Sequence, residues 1–312
     1  MARAGRGWKA WGVALAVAAL AAFCGTGLAS SARAETGADV YSGTGAWVDV
    51  WDAALWAGPE RTVDAMRRRG VRTLFLETSN SSRPYDLIAP DLVGRFIAAA
   101  HADGLGVVAW YLPTLRKPQL DRRRVLAALG FRTATGDGFD SVALDIESSA
   151  VRRPGLRTAR VLGLAQALRE AAGPAFPLGA IVPAPEGMRL RPAYWPRFPF
   201  RELAGIFDVF LPMAYFTYHT HGEADAQAYV SASVELLREQ AGDQDLRVHV
   251  VGGAAAVTRP SQLRGFLAAA CAAGVDGLSL YDFASMKPWQ WRSLGSSDGC
   301  AAPGDGAATT SP

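Results

Sequence analysis

Short apolar runs alternate with helical patterns about eight times along most of this chain. The predicted strands cover residues 46–51, 73–77, 106–112, 139–147, 178–182, 208–215, 246–251 and 277–281. The predicted helices cover residues 59–69, 90–103, 117–129, 155–172, 201–206, 224–240, 260–273 and 288–294. Such alternation requires parallel strands joined by right-handed crossovers. Eight units in roughly 250 residues predict a single (β/α)8 TIM barrel, an α/β fold, rather than an open sheet.

The ends of the chain differ from this pattern. Residues 1–34 join a basic start (Arg3, Arg6 and Lys9) to an apolar run over 13–23 and an Ala-x-Ala sequence at 32–34, which predicts a secretory signal peptide. The run is too short to span a bilayer, so we expect no stable membrane insertion of the mature chain. Residues 295–312 are rich in small residues and are predicted to be disordered. The barrel domain is therefore predicted over residues 35–294, in a secreted or cell-surface protein.

Two alternatives for the leader stay open, a lipoprotein with Cys24 as the lipidated residue and an uncleaved anchor. Phe23 is bulkier than the residue that a lipidation site requires. Two cysteines follow the leader, and Cys271 and Cys300 are expected to form a disulfide if the protein is exported. A buried free thiol at Cys271 is the alternative.

The charge of the chain argues against nucleic acid as a partner. The formal net charge is +3, and four basic residues lie in the predicted leader, which leaves a nearly neutral mature chain. Proteins that bind nucleic acid carry a basic surface instead. We expect a monomer that acts on a polysaccharide or oligosaccharide and needs no cofactor.

The fourth predicted strand ends in two carboxylates, Asp145 and Glu147. Side chains alternate between the faces of a strand, so these two acids point the same way. In a TIM barrel that end of the strand opens into the active-site mouth. Paired carboxylates are what glycosidic bond cleavage requires, with Glu147 as general acid. Like-charge repulsion from Asp145 is expected to raise the pKa of Glu147 for this task. Acids that only bind loop amides are the alternative.

The ends of the other strands supply further candidates, because all of them meet at this mouth. Most are acidic or aromatic, and aromatic rings can stack on sugar faces. The candidate substrate-binding residues are Asp49, Trp51, Glu77, Trp110, Tyr111, Met213, Tyr218, Tyr281 and Asp282. The seventh strand offers no carboxylate, although a large group of retaining barrel glycosidases places its nucleophile there.

The fourth-strand sequence resembles the chitinase-like family 18 of glycoside hydrolases, which carries D-x-x-D-x-D-x-E at this place. Asp140, Asp145 and Glu147 match, and Ala143 replaces the middle acid. The Met213-Ala214-Tyr215 sequence matches the M-x-Y-D of that family, with Phe216 in place of the acid. The resemblance implies a substrate-assisted retaining mechanism. In that mechanism the substrate's N-acetyl oxygen attacks, Asp145 orients the acetamide, and Tyr215 hydrogen-bonds its carbonyl oxygen.

A looser resemblance is to the family 25 lysozymes, which also carry D-x-E on strand four and an Asp on strand one, here Asp49. Two other functions stay open. The missing acids at 143 and 216 favour a non-catalytic carbohydrate-binding barrel that has lost hydrolysis. The His219-Thr220-His221 sequence suggests a metal-dependent deacetylase, but H-x-H lies on strand one in such barrels and here follows strand six. We expect no metal site.

Overall fold

The computed structural model describes residues 37–80 and 83–295, which form a closed barrel of eight parallel strands. The strands are β1 (Gly43–Val48), β2 (Thr73–Ser79), β3 (Gly106–Tyr111), β4 (Ser141–Asp145), β5 (Leu178–Pro183), β6 (Val209–Met213), β7 (His249–Ala254) and β8 (Gly277–Tyr281). Each strand pairs with the next along the chain, and β1 pairs with β8. The predicted (β/α)8 barrel is confirmed.

Helices connect successive strands on the outside of the barrel. They are α1 (Ala53–Trp56), α2 (Pro59–Arg67), α3 (Pro90–Ala102), α4 (Pro118–Gly130), α5 (Pro154–Ala172), α6 (Pro185–Leu190), α7 (Phe200–Ala204), α8 (Glu223–Ala241), α9 (Pro260–Ala272) and α10 (Pro288–Gly295). Four short 3-10 helices cover Gly37–Tyr41, Phe216–Tyr218, Ala255–Val257 and Phe283–Ser285. Most of the α-helices begin at a proline, because its fixed φ suits the first turn and its missing N–H has no partner there anyway.

Several predicted boundaries were wrong, and three of them bear on the site. β1 ends at Val48, because the next N–H groups bond to side chains: Val50 donates to Glu77 and Trp51 donates to Asp49. β4 ends at Asp145, which places Glu147 in the following turn. The predicted loop over residues 183–200 contains helix α6, which the prolines and the glycine of its sequence concealed.

The N-terminal end of the barrel is filled by Tyr41, at the end of the first 3-10 helix. Its ring is buried, and its hydroxyl lies 2.5 Å from Ser141 Oγ. Gly179 on β5 leaves the space for that ring, because a Cβ at residue 179 would collide with the Tyr41 hydroxyl. Tyr41 therefore closes the interior at the end opposite to the mouth.

His249 is buried inside the barrel with both ring nitrogens bonded. Nδ1 lies 2.8 Å from the Tyr41 carbonyl oxygen and Nε2 lies 3.0 Å from Ser279 Oγ, which also accepts a bond from Trp47 Nε1. Burial lowers the pKa of His249 to about 4. The ring is thus neutral, with Nδ1 donating and Nε2 accepting from the serine hydroxyl. His249 is a structural residue of the barrel interior.

The two faces of β4 pack in different parts of the fold. Val142, Leu144 and Ile146 belong to the apolar core between the barrel and its helices. Ala143 belongs to the separate cluster inside the barrel. Asp145 therefore follows Ala143 on the interior face and lies where the interior meets the mouth.

Several predictions concern parts of the chain outside the described residues, including the signal peptide over 1–34 and the tail over 295–312 after Gly295. Cys271 is disulfide-bonded, and Cys300 lies outside the described residues. No helix among residues 37–80 and 83–295 is both long and apolar enough to span a membrane.

Candidate active site

Asp145 and Glu147 lie at the mouth of the barrel, at the end of β4. Asp145 is 7% exposed. The Ile146 N–H donates to the Ile181 carbonyl oxygen at 2.7 Å, which extends the pairing with β5 by one residue beyond β4. This bond carries the chain past Asp145 before it turns, and Glu147 follows at the edge of a cavity.

The electrostatics of this pair follow from burial. Asp145 Oδ1 is buried and, within the described part of the chain, has no hydrogen-bond partner. Burial raises the pKa of Asp145 well above its usual range, and the charges of Glu147 and Glu77 raise it further. Burial also raises the pKa of Glu147. Burial is the largest cause for both groups, and the repulsion between the two carboxylates, which acts on both of them, adds to it.

Two cavities open beside the pair. The larger one, of about 430 Å³, is lined by Glu147, Pro183, Ala184, Gly187, Met188, Arg191, Tyr194, Met213, Tyr215, Tyr218, His219 and Tyr229. The smaller one, of about 20 Å³, is lined by Trp47, Trp110, Asp145, Ile181, Met213, Tyr215, Val251 and Tyr281. Met213 and Tyr215 border both cavities, so the two carboxyl groups face connected parts of one mouth.

Two tyrosines frame Glu147. Burial raises the pKa of Tyr215 well above its usual range, and the charges of Asp145 and Glu147 add to the rise, so its hydroxyl stays protonated. The Tyr194 hydroxyl donates to the backbone carbonyl oxygen of Glu147. Burial, followed by the charge of Glu147, raises the pKa of Tyr194 to about 12. Tyr194 thus fixes the backbone of Glu147, and Tyr215 offers a hydroxyl donor to the cavities.

A second group of acids lies at the ends of β1, β2 and β8. Glu77 is 2% exposed, and its carboxylate accepts bonds from Val50 N at 2.8 Å and Asn80 Nδ2 at 2.9 Å. Asp49 accepts from Trp51 N at 2.7 Å and from the Tyr281 hydroxyl at 2.9 Å. Both carboxylates accept bonds within the protein, and their contact with a substrate stays a prediction.

Asp52 and Asp282 complete this second group. Asp52 accepts from Asp49 N, and Asp282 accepts from Ser285 N as the cap of a 3-10 helix. Burial raises the pKa of Glu77 to about 7 and that of Asp52 to about 6. Carboxylate oxygens of Asp49, Asp52 and Asp282 lie within 4.8 Å of one another, which is close enough to share a cation. Each of these side chains already accepts a bond from the protein.

The remaining predicted aromatic residues divide into three places. Trp110 and Tyr281 line the smaller cavity, and Trp110 Nε1 is buried without a hydrogen-bond partner in the described residues. Tyr218 is 66% exposed and lines the larger cavity. Trp51 is 57% exposed and lies under the guanidinium group of Arg83, with 4.2 Å from Cζ to the ring centroid.

Tyr111 does not belong to the mouth. It is buried in the core between barrel and helices, and its hydroxyl donates to Asp121 Oδ1 at 2.6 Å. Because Trp110 faces the interior, the next residue of β3 has to face the helices. The prediction of Tyr111 as a substrate-binding residue was therefore wrong.

Sequence reasoning missed several lining residues of the larger cavity, and the four with the largest side chains among them are Met188, Arg191, Tyr194 and Tyr229. Three of them lie in or after α6, within the stretch that was predicted to be a loop. The signal was present, because that stretch follows β5 and so begins at the mouth end of the barrel. Tyr229 comes from α8, and no strand-end argument could have found it.

The two histidines of the H-x-H sequence diverge. His219 lines the larger cavity and stacks on Tyr229, with ring centroids 4.8 Å apart and an interplanar angle of 15°. His221 is exposed, and its N–H faces Asp225. Neither belongs to the one group of potential metal ligands found among residues 37–80 and 83–295.

Solved structures of other proteins share this arrangement of strands and helices. An endo-β-1,4-mannanase from Thermotoga petrophila matches with a TM-score of 0.58 and 12% identity, over 77% of this chain and 68% of that one. The spore cortex-lytic enzyme SleL from Bacillus cereus matches with a TM-score of 0.57 and 9% identity, over 82% and 74%. A chitinase from Rhizomucor miehei matches with a TM-score of 0.53 and 14% identity, over 81% and 99%.

The chain has the fold of these TIM-barrel glycoside hydrolases. At such low identities the likeness establishes the architecture alone. No protein-family model matches the sequence, and no curated protein matches it. Any function therefore has to be argued from the mouth of the barrel.

Proposed function

We propose that this chain is an exported glycoside hydrolase that cleaves a glycosidic bond in a cell-wall or extracellular polysaccharide. The observation that carries the proposal is the buried carboxyl pair, Asp145 and Glu147, beside a cavity lined with tyrosines. In such a pair one carboxyl group protonates the leaving glycosidic oxygen and the other stabilises the positive charge that develops at the anomeric carbon, and tyrosine rings stack on sugars. The structural neighbours include enzymes named as mannanase, chitinase and cortex-lytic enzyme, which supports this class of reaction.

Glu147 acts as the general acid in this proposal. A general acid has to hold its proton near the working pH, and burial raises the pKa of Glu147 in the required direction. The pair titrates as a unit, because the charge of Glu147 also raises the pKa of Asp145. One of the two carboxyl groups therefore keeps a proton at a pH where exposed acids have lost theirs.

The attacking group in this proposal belongs to the substrate. The described strand β7 contains no carboxylate, so a protein nucleophile at that strand is excluded. An N-acetyl oxygen of the substrate can attack instead, with Asp145 orienting the amide group. The protonated hydroxyl of Tyr215 can then donate to the amide oxygen.

A non-catalytic carbohydrate-binding barrel is the second candidate. Ala143 lies in the apolar cluster inside the barrel, and Phe216 packs on Phe266 with ring centroids 5.4 Å apart. Neither position offers the acid that the family 18 pattern carries there. A binder would keep affinity for a saccharide, show no turnover and tolerate the loss of the Glu147 carboxyl.

The deciding experiment measures reducing-sugar release by the purified protein and by its Glu147→Gln variant. The substrates are chitin oligomers, β-mannan, peptidoglycan and acidic exopolysaccharides. Release by the wild type and none by the variant is the expected result. Equal release by both proteins would contradict the role of Glu147. Binding of a saccharide without any release would establish the second candidate.

Export is a separate part of the proposal and rests on the sequence of residues 1–34. Expression of the full chain in a secreting host, followed by N-terminal sequencing of the extracellular product, tests it. We expect a product that begins at Glu35. Retention of the full chain inside the cell would contradict export and leave the proposed reaction unaffected.

A further inference from the structure

The wall of the larger cavity that follows β5 contains a cation with no partner among the described residues. Arg191 follows α6 and lines the cavity together with Tyr194, His219 and Tyr229. No ion pair or side-chain hydrogen bond of Arg191 is present among the residues that the structure describes. Its guanidinium group therefore keeps its donors free for a molecule that enters the cavity.

The other arginine of this segment, Arg189, differs from Arg191 because its charge is paired within the protein. Arg189 donates from Nε and from a terminal nitrogen to the two oxygens of Glu186, with both distances 2.6 Å. Glu186 is the acid of the same helix, and this fork-like pairing occupies its carboxylate. Glu186 therefore has no oxygen edge left for a second fork with Arg191.

Apart from Glu147, whose pKa is raised by burial, the other titratable groups that line the cavity offer Arg191 no negative charge. Burial and the charge of Arg191 lower the pKa of His219, which keeps that ring neutral. Burial raises the pKa of Tyr229 to about 12, so its hydroxyl is neutral as well. Among the residues lining the cavity, Arg191 is the only lysine or arginine.

Positively and negatively charged side chains are therefore unevenly distributed around the mouth. The acids Asp49, Asp52, Glu77 and Asp282 lie at the ends of β1, β2 and β8, and Asp145 and Glu147 lie at the end of β4. Arg191 lies beyond the end of β5. A negatively charged group on a bound chain would be repelled from the acidic side and attracted to Arg191.

We propose that the larger cavity binds a sugar unit that carries a carboxylate, and that Arg191 pairs with this carboxylate. The inference rests on the proposed hydrolysis and narrows its substrate to an acidic polysaccharide. A guanidinium group matches a carboxylate with two parallel N–H···O bonds, and the surrounding tyrosines supply faces for the sugar ring. The pairing would also fix the register in which the chain lies beside Glu147.

Two kinds of polysaccharide supply this chemistry. Hexuronic acids carry the carboxylate at C6, the carbon attached to the sugar ring. Muramic acid carries it on an ether-linked side group. Two probe pairs separate them: tri-galacturonate with its methyl ester, and N-acetylglucosaminyl-muramic acid with its methyl ester. Esterification removes the charge and changes the size of each probe little.

The test compares wild type, Arg191→Gln and the control Arg264→Gln, with binding measured by calorimetry and turnover by kcat/KM. Arg264 is an exposed arginine of α9 that pairs with Glu223 and does not line the cavity. We expect one acid to bind the wild type at least about tenfold more tightly than its ester, which corresponds to one charge-assisted hydrogen bond. Arg191→Gln should abolish this preference, Arg191→Lys should restore part of it, and Arg264→Gln should retain it. The preference should weaken as salt concentration rises.

The outcomes separate this inference from the proposed function. Hydrolysis of a neutral polysaccharide with no effect of Arg191→Gln would overturn the inference and leave the glycosidase intact. Binding of an acid that depends on Arg191, without turnover of any substrate, would support the inference and overturn the glycosidase. Equal affinity of the wild type for acid and ester in both probe pairs would overturn the role of Arg191. Arg191 is exposed, so Arg191→Gln is expected to fold normally.

Discussion

Two groups of carboxyl groups meet at the mouth of this barrel, and they differ in their bonds. Asp49 and Glu77 each accept two hydrogen bonds from the protein, from a backbone N–H and from a side chain. Asp145 is similarly buried, but its Oδ1 has no partner among the described residues. Carboxyl groups at this one mouth thus occur in two states: Asp49 and Glu77 are hydrogen-bonded within the protein, and Asp145 Oδ1 has no partner among the described residues.

This difference separates acids that hold the structure together from acids that are available to a substrate. A buried polar atom without a partner costs free energy, so a ligand group that pairs with it gains more than one that meets a carboxylate already bonded within the protein. The carboxylates of Glu77 and Asp49 hold the loop that leaves β1, and their bonds explain them without any ligand. Asp145 Oδ1 has no such bond within the described residues, so it remains available to a donor group that reaches the mouth.

The substitution Glu147→Gln tests most strongly whether the acids at the end of β4 serve chemistry and not structure. Loss of the general acid should lower kcat by about 10²- to 10⁴-fold on the responding polysaccharide. The unfolding temperature should stay close to that of the wild type, because no hydrogen bond to the Glu147 side chain is present in the described residues. Activity assays and thermal unfolding on the same preparations check both statements. A kcat within a factor of two of the wild-type value would remove Glu147 from the mechanism.

Asp145→Asn should have the next largest effect. We expect kcat to fall about 10²-fold, because the amide cannot stabilise developing positive charge. The remaining activity should disappear at a lower pH than in the wild type. The raised pKa values mean that the pair holds a proton below them and loses it as pH rises, and removal of Asp145 removes the coupling that delays this loss.

A pH–rate profile of the two proteins measures this shift. The unfolding temperature of Asp145→Asn at pH 8 should be no lower than that of the wild type, because the substitution removes a buried charge that has no hydrogen bond. A strong loss of stability would show that Asp145 belongs with the structural acids of β1 and β2.

Two tyrosine-to-phenylalanine variants extend the comparison to hydroxyl groups. Tyr215→Phe should lower kcat about tenfold, since it removes one hydroxyl donor beside Asp145 and Glu147. Tyr111→Phe should leave kcat unchanged and lower the free energy of unfolding by about 1–3 kcal/mol, since Asp121 loses its partner. Steady-state kinetics and denaturant unfolding of both variants test the pair, and equal effects on kcat would contradict the placement.

The barrel could be predicted from the sequence because its information is local. Alternating apolar runs and helices are a property of neighbouring residues, and the number of units limits the closed arrangement. The D-x-E spacing likewise brought Asp145 and Glu147 to the mouth end of β4, although Glu147 lies in the turn after the strand and not on its face. In both cases the spacing of residues along the sequence was enough for the prediction.

The rest of the site depended on contacts between distant residues. Whether Glu77 meets a substrate or the Val50 N–H depends on the path of the loop after β1, which no spacing reveals. Tyr229 reaches the cavity from the middle of a helix, and Arg191 follows a helix that prolines concealed. Tyr111 is the exception, because the period of two along β3 could have excluded it from the start.

The last prediction concerns the acids that hold the structure at the ends of β1 and β2. Burial raises the pKa of Glu77 from 4.5 to about 7, so the folded protein binds this proton more tightly than the unfolded chain between those pH values. Unfolding then releases a proton, and stability falls as pH rises through this window. Glu77→Gln should remove this contribution, which is at most about 3 kcal/mol in the free energy of unfolding.

Denaturant unfolding at pH 5 and pH 8 measures the effect, with Glu60→Gln as the matched control. The hydrogen bond from Arg95 lowers the pKa of Glu60 to about 2, so Glu60 contributes stability that is lost only as pH falls below 4.5. The control should therefore keep the wild-type slope between pH 5 and pH 8, whereas Glu77→Gln flattens it. The same slope in all three proteins would mean that Glu77 is not protonated in the folded barrel. In that case its two hydrogen bonds stabilise a charged carboxylate, and the acidic side of the mouth carries one more negative charge opposite to Arg191.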